Sequence, residues 1–193
     1  MANKINELKL ALGAGARANK YRINFTYPTA VDSGTDLSEF DVLAHSTSFP
    51  GKTIGQIEVY NQGRKLLLFG DTQFQNTWTI TVYNTEDHSI RRAMLNWMKA
   101  CDNFQENKHS GVPAELMVDM SIEQLDSAGN GTAKYTFHNA WISEVADTQV
   151  ADETQDTIQE FDITITYTDW VTGSDEVDNP LKANASTLNP TAL

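Results

Sequence analysis

A single cysteine, Cys101, stands among 193 residues. It can close no intramolecular disulfide and matches no zinc spacing, which removes a disulfide framework and a structural metal and fits a reducing compartment such as the cytoplasm. Long apolar runs are also missing. The N-terminal MANKINELKLALGAGARANK offers only the stretch Leu8 to Leu12 beside Glu7, too short and too charged for a signal peptide. No segment approaches the roughly 18 apolar residues of a membrane span. The expectation is a soluble chain with no membrane insertion and no cleaved export signal. Basic residues are scarce as well: 14 Lys and Arg against 26 Asp and Glu give a formal charge of -12. Such a balance argues against gripping nucleic acid by its phosphates, although an acidic passage would let a duplex slide by. Composition alone favours an ordinary acidic protein.

Motifs that carry chemistry are absent too. His45, His88, His109 and His138 are scattered and form neither an i,i+4 pair nor an HExxH unit, so they read as surface or loop residues. No GxSxG elbow presents a serine. GAGARA, Gly13 to Ala18, lacks the preceding strand and following helix of a dinucleotide loop and reads as a flexible connector. Gly70-Asp71 reads as a turn. Glu160 and Asp162 stand about 7 Å apart by strand rise, but without an aromatic platform a solvated face outweighs a glycosidase pair. Asn24, Asn130 and Asn184 open glycosylation triplets that have no meaning outside a secretory pathway. No catalytic residue, metal ligand or cofactor is assigned, and no enzyme is expected.

Periodicity carries the positive information. Tyr21 to Tyr27 alternates apolar with polar residues and predicts a strand; Phe40 to Ser46 predicts a shorter one, followed by the Pro50-Gly51 turn. Ile57 to Tyr60 and Lys65 to Phe69 predict a hairpin around NQGR, where Gly63 can take a positive φ. Its consecutive Leu66, Leu67 and Leu68 cannot all face one core, so at least one is expected to meet a partner. In the next strand Phe74, Trp78, Ile80 and Val82 alternate with Gln73, Gln75, Thr77, Thr79 and Thr81. Asn84 or Thr85 can cap the one clear helix, whose apolar face collects Ile90, Ala93, Met94, Trp97, Met98 and Cys101, leaving Cys101 a buried, inert thiol. Leu116 to Leu125 and Ala133 to Ile142 predict two strands around DSAGNG, and Ser143 to Gln155 is ambiguous. The last long strand, TIQEFDITITYTDW, opposes Phe161, Ile163, Ile165 and Tyr167 to Glu160, Asp162, Thr164 and Thr166.

These elements predict a mainly β domain, a β-sandwich or half-barrel with one flanking α-helix, spanning residues 21–171 between an N-terminal arm, 1–20, and a polar C-terminal tail, 172–193. The predicted core is Phe74, Trp78, Ile80, Val82, Ile90, Met94, Trp97, Phe161, Ile163 and Ile165. Burying Trp78 or Trp97 should each contribute on the order of 2 to 3 kcal/mol.

Element order and local words together resemble the tail tube proteins of contractile-tailed bacteriophages. The resemblance is densest over SFPGKTIGQIEVYNQGRKLLLFGDTQFQNTWTITVYNTEDHSIRRAMLNWM, with ARANKYRINF similar to the family's entry strand and IQEFDITITYTDW to its closing strand. It implies a structural virion protein, assembled in the host cytoplasm into hexameric rings that stack as the inner tube of a contractile tail. The rings would close a continuous β-barrel and conduct DNA from capsid to host without specific binding. Thr77, Thr79, Thr81, Glu160, Asp162, Thr164 and Thr166 would then face the lumen. The region from Thr53 to Phe69, with Ile57, Tyr60, Gly63, Arg64, Leu66, Leu67 and Leu68, would reach the next ring from a base marked by Pro50-Gly51 and FGDT. Implied partners are further copies of the chain, the tail sheath, baseplate and tail-terminator proteins, and a tape measure protein in the lumen. The alternative is the inner tube of a type VI secretion, tailocin or extracellular contractile injection system; a carbohydrate-binding β-sandwich ranks below both, because the aromatics follow the core period.

Overall fold

The structure, a computed structural model, describes residues 2–13, 15–104, 106, 112–151 and 156–173. His109, Asn184 and all of the tail beyond Gly173 lie outside these residues. Helix α1 (Ala2–Leu12) precedes strand β1 (Tyr21–Asn24), and the short helix α2 (Phe40–Leu43) runs directly into β2 (Ala44–Thr47). Strands β3 (Lys52–Asn61) and β4 (Arg64–Phe74) form a hairpin, and β5 (Thr77–Tyr83) leads to helix α3 (Ser89–Cys101). The short helix α4 (Pro113–Leu116) is followed by β6 (Val118–Leu125), β7 (Gly131–Val145), β8 (Glu160–Thr166) and β9 (Asp169–Thr172). The strands other than β3 and β4 make one antiparallel 7-stranded sheet in the order β1-β6-β7-β8-β5-β2, with β9 also on β7.

That sheet is bent into two walls by β7, a strand of 15 residues. Its first half pairs with β6 and β9, its second with β8. At the bend Asn139 takes φ 53, and its N–H donates to Asp119 Oδ1 at 3.1 Å, so one β6 carboxylate holds the extra residue of a bulge. The walls then face each other across an apolar core in which Trp78 of β5 stacks on Phe137 of β7 at 4.5 Å. Helix α3 closes the core with Ile90, Ala93, Met94 and Trp97, all buried. Trp97 Nε1 donates to the Leu116 carbonyl at 3.1 Å, and Tyr27 donates to the Ala93 carbonyl at 2.9 Å with its ring edge-on to Trp97.

Several boundaries differ from the sequence expectation, each for a long-range reason. Phe40 to Ser46 is not one strand: a helical turn brings Phe40 and Leu43 to the same side, where Phe40 is 1% exposed and stacks on Phe25 at 4.1 Å. The strand from Tyr21 stops at Asn24, because Phe25 and Tyr27 pack on α3 rather than on a strand. TIQEFDITITYTDW is broken after Thr166: Asn76 Nδ2 binds the Tyr167 and Thr168 carbonyls and the Thr168 N–H donates to the His138 carbonyl, turning the chain from one wall to the other. Gly70-Asp71 is no turn but lies inside β4. Neither Asn84 nor Thr85 caps α3, which begins at Ser89 after His88 at φ 53; Asn84 instead binds His88 and Gln159, and Thr85 binds Asp87. Helices α1, α2 and α4 were not expected, and β7 extends to Val145 into the ambiguous segment.

Candidate assembly surfaces

Strands β5 and β8 pair without a register shift, Thr77 opposite Thr166, Thr79 opposite Thr164, Thr81 opposite Asp162 and Tyr83 opposite Glu160. Residues directly opposite share a face. The alternate positions, Trp78, Ile80, Val82, Phe161, Ile163 and Ile165, are all buried. The threonines and acids singled out in the sequence therefore form one continuous face turned away from the core. Its two ends differ: threonines at one, Glu160 and Asp162 at the other. Several neighbours escaped the sequence reading. Tyr83 continues the alternation, His45 of β2 stacks on Tyr83 at 4.2 Å while its Nε2 lies 2.5 Å from Glu160 Oε2, and Glu144 of β7, opposite Thr164, adds a third acid. Trp141 stands opposite Thr166 and Ser46 opposite Thr81. Only Tyr83 had a local signal; the others depend on which strands become neighbours. Among the described residues no group of three or more His, Cys, Asp or Glu side chains is placed to hold a metal ion.

This wall ends at β2, the last strand of the sheet order, which has β5 as its strand partner among the described residues. An unpaired edge exposes a row of backbone donors and acceptors that another chain can pair with.

The hairpin is the second surface. β3 and β4 form a separate two-stranded sheet. Their turn places Gln62 at φ 48 and Gly63 at φ 77, the two positive values a tight two-residue hairpin turn requires. Register pairs Ile57 with Leu68 and Val59 with Leu66, so these four aliphatic side chains share one face, and they are 41% to 57% exposed. Leu67 lies on the opposite face with Glu58, Tyr60 and Lys65, where Lys65 pairs with Glu58 and the Tyr60 hydroxyl donates to Glu58 at 2.8 Å. The Lys65 hydrogen bond first, then that of Tyr60, holds the Glu58 carboxyl below its ordinary value. Arg64 adjoins the turn, and Pro50 and Gly51 precede β3. Of the expected core residues, Phe74 alone is only half-buried, because it closes the root of this arm.

Among the described residues the arrangement offers a polar wall, a strand edge without a second partner and an amphipathic ribbon with an exposed apolar face, all of them features suited to association. A family model described as phage tail tube protein matches residues 16–173. The tail tube protein of Serratia phage KSP90 is 25% identical over 166 residues, covering 84% of this chain and 93% of that one. Tail tube protein gp19 of Enterobacteria phage T4 is 24% identical over 159 residues, covering 82% and 92%. Among solved structures, a chain of the anti-feeding prophage baseplate superposes with TM-score 0.57 at 12% identity over 81% of this chain and 94% of that one. A chain of an extracellular contractile injection system's sheath-tube complex gives 0.54 at 14% identity over 86% and 95%.

Proposed function

The chain belongs to the phage tail tube protein family, whose members are virion tail components, and we propose that its copies close into hexameric rings that stack as a tube conducting DNA. One observation supports this above the others: the bent sheet buries one face and leaves a threonine and carboxylate face on a wall with an open edge. In a ring the β2 edge is paired by the next copy, the edge problem disappears and the alternate residues line a lumen. Thr77, Thr79, Thr81, Thr164 and Thr166 present short, uncharged side chains, and Glu144, Glu160 and Asp162 repel phosphate, so a duplex finds no sites at which to stick. The arm's aliphatic face, Ile57, Val59, Leu66 and Leu68, docks on the next ring.

Partners follow by likeness. The solved structures with this fold come from assemblies with a baseplate and with a sheath, and a sheath, a baseplate and a terminator are proposed here also, with a tape measure protein in the lumen during assembly inside the infected cell. Residues 1–20 flank the tube domain as an arm, and the tail begins after β9, since Thr172, expected in the tail, pairs with Tyr135. The inner tube of a secretion or extracellular injection device is the second reading; the curated phage relatives favour the first. Negative-stain microscopy of the purified chain with baseplate components should show rings or tubes with an open centre. Strictly monomeric particles under every condition would contradict assembly.

A further inference from the structure

Docking by the arm needs a fixed direction, yet among the described residues it shares no strand pairing with the main sheet. An isolated two-stranded ribbon is marginal in water, so its direction depends on its root. There β3 begins with Lys52 and β4 ends with Phe74, directly opposite each other and hence on one face. Both reach the same residue: Lys52 Nζ lies 5.2 Å over the Trp170 ring, and Phe74 meets that ring edge-on, with centroids 6.1 Å apart. Tyr135 also meets the Trp170 ring edge-on, with centroids 5.5 Å apart, and Tyr135 in turn touches Phe49, just ahead of β3, at 5.2 Å. Trp170 belongs to β9 and is paired with Phe137 of the core, so it is part of the rigid wall.

We propose that Trp170 is the clasp that sets the arm's direction, gripping the first residue of β3 and the last of β4 at once; its bearing on assembly rests on the tube reading above. The indole N–H is buried without a hydrogen-bond partner among the described residues, so the ring holds the root by its face and edges, and a cation over an aromatic face is an oriented contact. Just above the clasp the strands cross at Gly55 and Gly70. A Cβ on Gly70 would sit 3.1 Å from the Gly55 carbonyl carbon and oxygen, tight enough that the Gly55 backbone would have to shift by a few tenths of an ångström to admit it. The register shifts at this crossing, between Ile54 and Gln56. Clasp and glycine crossing together give the ribbon one exit angle.

The test uses the full chain carrying Cys101→Ser, with spin labels at Arg64→Cys near the arm's tip and Ser127→Cys on the β6–β7 turn, read by pulsed dipolar spectroscopy. The parent should give a single narrow distance. Trp170→Leu and Lys52→Ala should broaden it or add a second population, and the conservative Trp170→Phe and Lys52→Arg should restore most of the narrow peak. Lys52 is exposed, so Lys52→Ala should do this with an unchanged melting temperature, which a purely structural role does not predict. Should Trp170→Leu fail to fold, Lys52→Ala decides alone. A parent-like distance in the folded variants overturns the clasp whatever happens to ring formation. A broadened distance with normal rings leaves the clasp standing and removes the arm from assembly.

Discussion

Single residues divide into those whose role is written in their sequence neighbours and those whose role depends on the fold. Thr79 and Asp162 are of the first kind: strict alternation already puts them opposite Trp78, Ile80, Phe161 and Ile163, and the register confirms a shared face. His45 is of the second, since its contacts with Tyr83 and Glu160 arise only once β2 lies beside β5. Converting Glu160 and Asp162 to lysine adds cations to the proposed wall. Tubes should still form but eject DNA slowly or incompletely, measured by single-particle ejection kinetics. Asp126 carries a pH prediction. Its Oδ1 accepts the backbone N–H groups of Asn130 at 2.9 Å and Ala128 at 2.7 Å, and these bonds, that of the Asn130 backbone first, hold the carboxyl below its ordinary value. A carboxyl depressed in the folded state stabilises above its unfolded pKa and loses that contribution as pH falls through the folded pKa. The protection of the Ala128 and Asn130 amides, their exchange taken relative to an unstructured peptide at the same pH, should therefore be highest at neutral pH and fall in acid below the ordinary aspartate range, and Asp126→Ala should remove that protection at neutral pH.

Elements show the same division more broadly. The alternation in β5 and β8 and the 3.6-residue spacing of α3 were legible because each buries one face against a common core. The breaks were not. α2 exists because Phe40 finds Phe25, and the chain turns after Thr166 because Asn76 captures two carbonyls from another strand; no local pattern encodes such partners. α1 lacked a cue because its tertiary burial is slight: Ile5, Leu8, Leu10 and Leu12 are 58% to 85% exposed. Trp97→Ala should cost about 3 to 5 kcal/mol, seen as a large fall in the unfolding midpoint, because it empties the helix–wall contact. Leu68→Asp on the bare face of the arm should change monomer stability by less than about 0.5 kcal/mol and yet abolish ring stacking, a pairing of results that calorimetry and microscopy can separate.

At the scale of the whole molecule the chain is a core covered on one side by α3 and left open on the other as a polar wall, with an arm projecting from its root at Trp170. A mainly β fold, the alternating polar face and the hairpin were readable from period, while the roles of the two surfaces came with the family resemblance; their mutual placement was not readable, because β7 bends where its register shifts, once beside Asn139, held by Asp119, and again between Ile142 and Glu144. Family membership spans residues 16–173, so α1 falls outside the matched segment. Removing residues 1–15 should leave the circular dichroism spectrum strand-dominated and the unfolding transition cooperative. Whether the threonine and carboxylate face lines a channel is read from a cryo-electron microscopy map of the assembled tube. The expected map shows a closed β-barrel with Thr77, Thr79, Thr81, Asp162, Thr164 and Thr166 pointing toward the axis and α3 outside. A tube in which α3 lines the channel and those threonines face outward would contradict it.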